Sequence, residues 1–386
     1  MDKKVAIVSY GIIKYRGLND IGMWNDEATF IASKQALERV GLKREDIDAV
    51  VISTMDGLDG ITISNGLLVP AAGAYEKESI RIETSGIHCV ISGVASILSG
   101  NSGLVMVSSS DTIEIDPGYV TNSNQDQFFR GPLGFNALQS YGLLSMDYLR
   151  KSGATEEDFI LAAHKNYQCG TTNPYAHITR DYSMDEIAVS PLTCWPLLEL
   201  EVAGLSNGAA AIILASEEKA REITENPVWI TGVAAATNSY FGSWQELSGM
   251  GALRRAAKFA YKMAGVQDPR SELDFMEIYN LFSPFELIAY EALGICAPGE
   301  GALLLREGAT SPEGDLPVNL SGGSLCTNGP NSSGIFRVVQ SFRQFNNDGI
   351  GIKAKNPKRG LVHDSDMGIG VVGGDSHAVL IMEKEA

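Results

Sequence analysis

The residue best suited to chemistry in this chain is a cysteine within residues 85–93, which read SGIHCVISG. A β-like segment over residues 79–83 precedes it, and an apolar run typical of a buried helix follows. Unpaired N–H groups and the dipole at a helix N-terminus favour the thiolate, which is the reactive form of cysteine. The pattern therefore predicts that Cys89 is a nucleophile. The alternative is a buried structural cysteine, the commoner state of a free thiol.

Composition limits the classes of function that remain open. The chain has 386 residues and a formal net charge of −17, which argues against binding to nucleic acid or to an anionic membrane. No apolar run reaches the roughly 18 residues of a membrane span, and the first residues lack the apolar core of a signal peptide. Five scattered cysteines without a CxxC or HExxH motif predict no disulfide framework and no metal site. We therefore expect a cytoplasmic protein.

The elements that must position Cys89 occur twice. A predicted strand over residues 5–9 is followed by a helix over about 25–40, then Gly41, then a buried strand over 49–53. The order restarts with a strand at 228–233, a helix over about 251–264, Gly265 and a strand at 274–279. Further strands are predicted at 103–108, 208–214, 317–320 and 377–382. Because strands alternate with helices, we expect a duplicated α/β fold with halves 1–225 and 226–386.

One stretch, from about residue 113 to residue 196, does not fit this repeat. It is rich in Asn, Gln, Gly and aromatic residues. Insertions of this length usually form lids, binding loops or interfaces. We therefore interpret it as a long insertion in the first half that lies over the site.

Five short motifs follow one another along nearly the whole chain. They are residues 85–93 (SGIHCVISG), 207–214 (NGAAAIIL), 277–282 (EIYNLF) with 291–294 (EALG), 319–323 (NLSGG) and 373–376 (GGDS). Together with the two halves, this order resembles the thiolase superfamily, in particular thiolases of the archaeal and sterol-carrier type. The resemblance implies a duplicated, five-layered α-β-α-β-α fold, a homodimer, and coenzyme A thioesters as substrates, with free coenzyme A as substrate or product.

The resemblance also implies a mechanism. The Cys89 thiolate would attack the 3-carbonyl of a 3-oxoacyl-CoA, an enolate would leave, and the acyl group would pass to free coenzyme A. The backbone N–H groups of Cys89 and Gly374 would form one oxyanion hole, and a water held by Asn280 would serve the other. The glycine-rich turns are expected to contact the substrate through Gly322, Gly323 and Gly373.

The pattern departs from the family at its acid–base positions. Thiolases usually carry Gly-His-Pro after the N-x-x-G-G turn, whereas this chain has Gly329 at the histidine position, or Asn328 if the gap lies elsewhere. Two valines stand where a second cysteine or a histidine often precedes the final glycines. We expect His377 to supply the missing group because its loop should approach Cys89, with His363 as the second candidate.

Two other residues near these motifs, His88 and Cys326, are interpreted more conservatively. We interpret His88 as structural, since neighbouring residues on a turn point apart. Cys326 is either a second thiol near the site or a packing residue. The altered acid–base set suggests an unusual substrate, and the aromatic residues of the insertion favour a bulky or aromatic acyl group such as that of benzoylsuccinyl-CoA. Core packing is the alternative for those aromatics, which are Phe128, Phe129, Phe135, Tyr141 and Tyr167.

By the same resemblance, the chain is expected to work with a small partner protein of the DUF35 type, a zinc ribbon joined to an OB fold. Two other functions stay open. One is a thiolase-fold carbon–carbon lyase or aldolase, which needs no acyl-cysteine. The other is a non-catalytic scaffold subunit similar to sterol-carrier proteins.

Overall fold

The computed structural model describes residues 4–18, 20, 22–84, 86–113, 118, 128, 131–238, 247–348, 351–366 and 376–385. Its strands are β1 (Val5–Ile12), β2 (Ala49–Ser53), β3 (Glu78–Ile82), β4 (Leu104–Asp111), β5 (Leu192–Cys194), β6 (Leu197–Leu198), β7 (Gly208–Ser216), β8 (Val228–Thr237), β9 (Phe275–Glu277), β10 (Arg359–Ser365) and β11 (Ser376–Lys384).

The helices of the described residues are α1 (Asn25–Glu38), α2 (Asp56–Asp59), α3 (Asn65–Ala71), α4 (Gly86–Ser99), α5 (Ala137–Lys151), α6 (Glu156–Gly170), α7 (Met184–Ala188), α8 (Glu217–Ile223), α9 (Gly251–Ala264), α10 (Pro269–Glu272), α11 (Ser283–Ala292), α12 (Gly301–Arg306), α13 (Gly323–Cys326) and α14 (Ser333–Asn346). None of them is long and apolar enough to cross a membrane.

The strand order repeats the same scheme twice within one large sheet. It runs β3-β2-β4-β7-β1-β8-β11-β10-β9, so each half places its first strand beside its last. The halves join where β1 pairs with β8 over three residue pairs. Repeated order of this kind is what a duplicated unit produces, and the duplicated α/β fold is confirmed. The boundary between the halves stays a prediction.

Three buried apolar clusters define five layers. Helix α1 packs on the outer face of the first-half strands, and α4 with α14 fills the space between the two halves. Helices α9 and α11 cover the outer face of the second-half strands. Because strand side chains alternate between faces, every central strand contributes to two clusters. The result is the α-β-α-β-α arrangement that the motifs predicted.

Two regions differ from the sequence-based expectation. Residues 317–320 form a single bridge, Val318 to Met276, because Asn319 adopts a left-handed backbone (φ +57°) that ends the extended run. The insertion at 113–196 is largely helical where it is described, since α5, α6 and α7 each begin at a capping box. Helix α6 packs against α11 and α13, close to the glycine-containing turn over 319–323.

Candidate active site

Cys89 lies in the first turns of α4, directly after the edge strand β3. Its side chain is fully buried in the central cluster, among residues of β2 and β4. It is the fourth residue of the helix, so the N–H groups without an intrahelical partner belong to the residues before it. The geometry therefore exposes less of the helix N-terminus to the thiol than the sequence suggested.

The surroundings of Cys89 favour the neutral thiol. Burial raises the pKa of the Cys89 thiol well above its usual range, a hydrogen bond with the Ser53 side chain offsets part of this, and the Asp364 carboxylate raises the pKa further. In the resting structure the sulfur is thus protonated at neutral pH. A reaction through Cys89 needs a base that removes this proton.

The N-termini of α4 and α14 meet beside Asp364. A Cβ on Gly86 would lie 2.7 Å from the backbone nitrogen of Ile335, and a Cβ on Gly334 would collide with Asp364 Oδ2, so only glycine allows this contact. Asp364 Oδ1 accepts a hydrogen bond from Ser333 Oγ at 3.0 Å. Burial raises the pKa of Asp364, although the Arg337 guanidinium 3.7 Å away opposes the shift. Two helix dipoles thus converge on a position that suits negative charge.

The two histidines expected to activate Cys89 lie on another face of the sheet. His363 and His377 form a pair with Nε2 and Nδ1 3.0 Å apart, and both rings stack on Phe285 of α11 at 6.0 and 6.2 Å between centroids. Phe285 belongs to the outer cluster of the second half, whereas Cys89 belongs to the central cluster. The second-half sheet therefore separates them. The structure does not bring either imidazole to the thiol, and the expectation that they meet is corrected here.

The pair of His363 and His377 should make the free energy of unfolding depend on pH. His363 is fully buried, its Nδ1 has no hydrogen-bond partner among the described residues, and burial lowers the pKa of His363 well below its usual value. The unfolded chain therefore binds this proton more readily, so folding stability is fully present above the unfolded pKa of about 6.5 and falls as the pH drops below it. We expect His363→Gln to reduce this loss, measured as the free energy of unfolding in urea from about pH 8 to about pH 5. An unchanged slope would contradict the assignment.

Asn280 lies in a buried polar network behind the turn over 319–323. Its Oδ1 accepts from the backbone N–H of Ser324 at 2.7 Å, and its Nδ2 donates to Glu286 Oε2 at 3.0 Å. Glu286 is fully buried and forms an ion pair with Lys165. It also accepts from three other side chains, those of Asn166, Asn319 and Tyr290. Both polar ends of Asn280 are therefore held by protein partners.

Gly322 and Gly323 allow the turn to approach this network. Both have a positive φ, +98° and +61°, and a Cβ on Gly323 would lie 2.5 Å from Asn280 Oδ1. Cys326 is buried against α6 at Gly170, where its Sγ contacts the Asn166 carbonyl oxygen at 3.5 Å. The structure thus favours a packing role for Cys326. Contact of the two glycines with substrate stays a prediction, and Gly373 and Gly374 lie outside the described residues.

Two of the five aromatic residues named in the insertion, Tyr141 and Tyr167, are core residues. Tyr141 stacks on Phe282 with centroids 4.7 Å apart, and Tyr167 packs edge-on against Tyr182. Both side chains are buried within apolar clusters. Phe129 lies outside the described residues, and Phe128 is exposed. The packing alternative therefore holds for the two tyrosines.

Two groups near the site were not predicted from the sequence to be functional. His88 is half-buried, with Nε2 3.0 Å from Ser376 Oγ at the start of β11, and the charge of Asp364 acts on it. Asp111, at the end of β4, lies against Gly329. The helical turn already implies that His88 points about 100° away from Cys89, but only the fold reveals what it meets. No pattern in the sequence linked Asp111 to Gly329.

Among the described residues, no group of three His, Cys, Asp or Glu side chains could hold a metal ion.

Comparisons with known proteins agree with this architecture. Residues 233–384 match the family described as Thiolase C-terminal domain-like. An acetyl-CoA acetyltransferase of Methanothermobacter thermautotrophicus is 26% identical over 385 residues, which cover 96% of this chain and 97% of the relative. The benzoylsuccinyl-CoA thiolase subunit BbsB of Thauera aromatica is 27% identical over 226 residues, 58% of each chain.

Solved structures show the same fold. The Ltp2-ChsH2(DUF35) aldolase superposes with a TM-score of 0.82 at 21% identity, covering 98% of this chain and 97% of that chain. Human mitochondrial 3-ketoacyl-CoA thiolase superposes with a TM-score of 0.71 at 16% identity, covering 100% and 99%. These matches support the membership of the thiolase superfamily that the motifs predicted.

Proposed function

We propose that the protein is a thiolase-type acyltransferase that cleaves or forms a 3-oxoacyl-CoA through an acyl group carried on Cys89. The observation that carries the proposal is the position of Cys89 in the first turns of α4, where that helix meets the N-terminus of α14. The similarity to an acetyl-CoA acetyltransferase over nearly the full length supports it. The low identity leaves the acyl group to be determined by experiment.

In the proposed cycle, a base takes the Cys89 proton, and the thiolate adds to C3 of the 3-oxoacyl-CoA. The C2–C3 bond breaks, its electron pair goes to C2, and the resulting thioester enolate is protonated there. The thiolate of free coenzyme A then attacks the acyl-cysteine and releases the Cys89 thiolate. By the resemblance, the backbone N–H groups of Cys89 and Gly374 are proposed for one oxyanion and a water on Asn280 for the other. This requires the Cys89 N–H to leave its intrahelical bond and the water to bind beside the protein partners of Asn280.

The acyl group and the partners belong to the same proposal. The relative that acts on benzoylsuccinyl-CoA supports a bulky or aromatic acyl group. That relative is a thiolase subunit, and the aldolase structure is that of Ltp2-ChsH2(DUF35). Both support a small DUF35-type partner for this chain, with a second copy of the chain as the other proposed partner. His377 and His363 are not used, because the sheet lies between them and Cys89.

A second candidate is a carbon–carbon lyase or aldolase on a CoA thioester. The full burial of Cys89 and its protonated state favour this reaction, since it needs no acyl-cysteine. Here a base takes the proton of a 3-hydroxyl group, C2–C3 breaks as the carbonyl forms, and C2 of the departing enolate takes up a proton.

The test is product analysis with 3-oxoacyl-CoA and 3-hydroxyacyl-CoA panels, with and without free coenzyme A and with a co-expressed DUF35 partner. We expect cleavage of 3-oxoacyl-CoA that depends on free coenzyme A and gives two acyl-CoA products. Cleavage of 3-hydroxyacyl-CoA without added coenzyme A would instead establish the lyase. No turnover in either panel would favour the scaffold subunit.

A further inference from the structure

A buried carboxyl, that of Asp111, lies against Gly329, the residue at the position where the resemblance to thiolases leads us to expect a histidine. Asp111 is the last residue of β4 and is 1% exposed. Its two oxygens accept hydrogen bonds from the backbone N–H groups of Asn331 and Ser332, at 2.8 and 3.0 Å, and from the Ser332 hydroxyl. These donors directly precede α14, so the carboxyl is fixed at the end of the helix that faces the site.

The backbone of Gly329 lies directly against this carboxyl. A Cβ at Gly329 would lie 2.6 Å from Ser332 Oγ and closer still to Asp111 Oδ2. No side chain, and therefore no histidine, fits at this position while Asp111 keeps its place. The absence of a histidine at position 329 and the presence of the Asp111 carboxyl beside it therefore depend on each other.

The carboxyl belongs to a chain of hydrogen bonds suited to proton movement. Tyr15 donates its hydroxyl hydrogen to Ser332 Oγ at 2.5 Å, and Ser332 in turn donates to Asp111. Asn331 links Asp111 to a second buried carboxyl, because its Nδ2 donates to Asp59 Oδ1 at 3.0 Å. Neither Tyr15 nor Ser332 has exposed surface. Hydrogen-bonded networks in a low dielectric transmit a change of charge efficiently.

The surroundings of Asp111 allow its carboxyl to gain or lose a proton near neutral pH. Burial raises the pKa of Asp111 to about 7, the bonds from Ser332 and Asn331 oppose the shift, and Asp59 adds to it. Burial likewise raises the pKa of Asp59 to about 6. Among the described residues, other charged groups near Asp111 include Lys14, Arg16 and Asp20 at the recess beside it, and Arg337, which acts on Tyr15. A carboxyl in this range can serve both as acid and as base.

Asp111 lies on the face of β4 that packs against α4 and Cys89, and it borders an open recess. Ser53 of β2, which hydrogen-bonds Cys89, pairs with Ser109 of β4, two residues before Asp111 on the same face of the strand. Asp111 also lines a recess of about 90 Å³. Its other lining residues include Lys14, Arg16, Thr112, Asn207 and Gly208. The carboxyl ends of strands are where α/β sheets bind ligands.

We propose that Asp111, backed by Ser332 and Tyr15, is the group that takes up and returns the substrate proton at this site, in place of the absent histidine. The inference rests on the proposed class of function, chemistry at C2 of a CoA thioester. In the thiolase cycle the Asp111 carboxylate accepts the Cys89 proton, gives it to C2 of the enolate, and then accepts the proton of the incoming coenzyme A thiol. That last proton returns to Cys89 when its thiolate is released.

The same carboxyl suffices for the lyase. It accepts the 3-hydroxyl proton and delivers the same proton to C2, so the reaction needs no cysteine. The exchange of C2 protons with solvent is therefore common to both functions, and it reports on Asp111 separately from acyl transfer.

The experiment follows deuterium uptake at C2 of acetyl-CoA and other acyl-CoA thioesters in D₂O. We compare the wild-type protein with Asp111→Asn, Cys89→Ser and Asp20→Asn. Asp20→Asn is a matched control, since Asp20 lines the same recess but is exposed, and its carboxylate forms a surface ion pair with Arg16. Asp111→Asn should slow exchange at least about a hundredfold. The wild-type rate should rise with a midpoint near pH 7, the pKa of Asp111.

The outcomes separate the two proposals. Exchange that persists in Cys89→Ser and in Asp20→Asn but is lost in Asp111→Asn supports the role of Asp111, even if no thiolysis is found. Wild-type rates and pH profile in Asp111→Asn overturn it, as does absence of exchange in the folded wild-type protein. If Asp111→Asn does not fold, as judged by circular dichroism, Ser332→Ala takes its place. A shifted pH midpoint in that variant supports the proposal, and an unchanged one overturns it.

Discussion

Cys89→Ser is expected to abolish the acyl-enzyme and to lower the rate of thiolysis by about a thousandfold or more. A serine hydroxyl in the same fully buried position has a far higher pKa than a thiol and forms an ester that transfers its acyl group less readily. The measurement is the intact mass of the protein after incubation with a 3-oxoacyl-CoA, together with the rate of acyl-CoA production. Because burial raises the pKa of the Cys89 thiol, the wild-type acylation rate should increase with pH.

The matched control is Cys326→Ser, which alters another fully buried thiol that packs against α6. It should keep the adduct and lose some stability at most. An acyl adduct that persists in Cys89→Ser would move the nucleophile elsewhere. Turnover that survives Cys89→Ser without any adduct would establish the lyase in place of the acyltransferase.

Lys165→Met should produce the largest loss of stability, about 3–5 kcal/mol in the free energy of unfolding. Lys165 and Glu286 form an ion pair with almost no exposed surface, so the variant leaves a buried carboxylate without its counter-charge. Lys165 also donates to the Val318 carbonyl oxygen at 2.9 Å, a bond that is lost as well. The measurement is urea-induced unfolding, in which a lower midpoint at constant slope reports lost stability.

Lys34→Met provides the comparison for this prediction. Lys34 and Glu38 form an exposed pair 3.6 Å apart on α1, and breaking such a pair should change stability by less than about 1 kcal/mol. The double variant Lys165→Met with Glu286→Gln should regain part of the loss, because it removes the unpaired charge. Equal stability of the single and double variants would indicate that the pair is not ionised.

The Glu286 network also connects stability to the site. Glu286 fixes the Asn280 amide by accepting from its Nδ2, and Ser324 holds the other end of the same amide. Lys165→Met should therefore reorient Asn280 even under conditions in which the protein stays folded. A substrate-dependent defect beyond the loss of folded protein would support the proposed role of Asn280.

The order of elements could be predicted well because it depends on local patterns. The helix over 251–264 was predicted with the bounds that the structure has, since its apolar spacing is helical and Gly265 ends it in a left-handed conformation. The strand after residue 317 could not be predicted correctly, because its short apolar run gave no sign of the left-handed Asn319. The insertion was assigned by its poor fit to the repeat, so its helical character was missed.

The candidate site was predicted only in part. The motifs predict Cys89, Asn280 and the glycine turns as site residues, which stays a prediction, and the absence of a histidine at Gly329 is visible in the sequence. The choice of His377 and His363 as replacements failed, because proximity along the chain to a site loop does not determine the face of a strand. Alternate residues of β10 and β11 point to opposite clusters, and both clusters are buried. No contrast between polar and apolar positions then marks the face.

The sequence by itself determined the duplicated α/β order, the family and the helix that carries Cys89, because these depend on periodicity and on short motifs. Only the tertiary structure decided which titratable groups surround that helix. Asp111 meets Gly329, and His88 meets Ser376, through contacts between residues far apart in the chain. Such contacts follow from how the two halves pack on α4 and α14. A one-dimensional pattern reports which residues are buried, but not which buried residues meet.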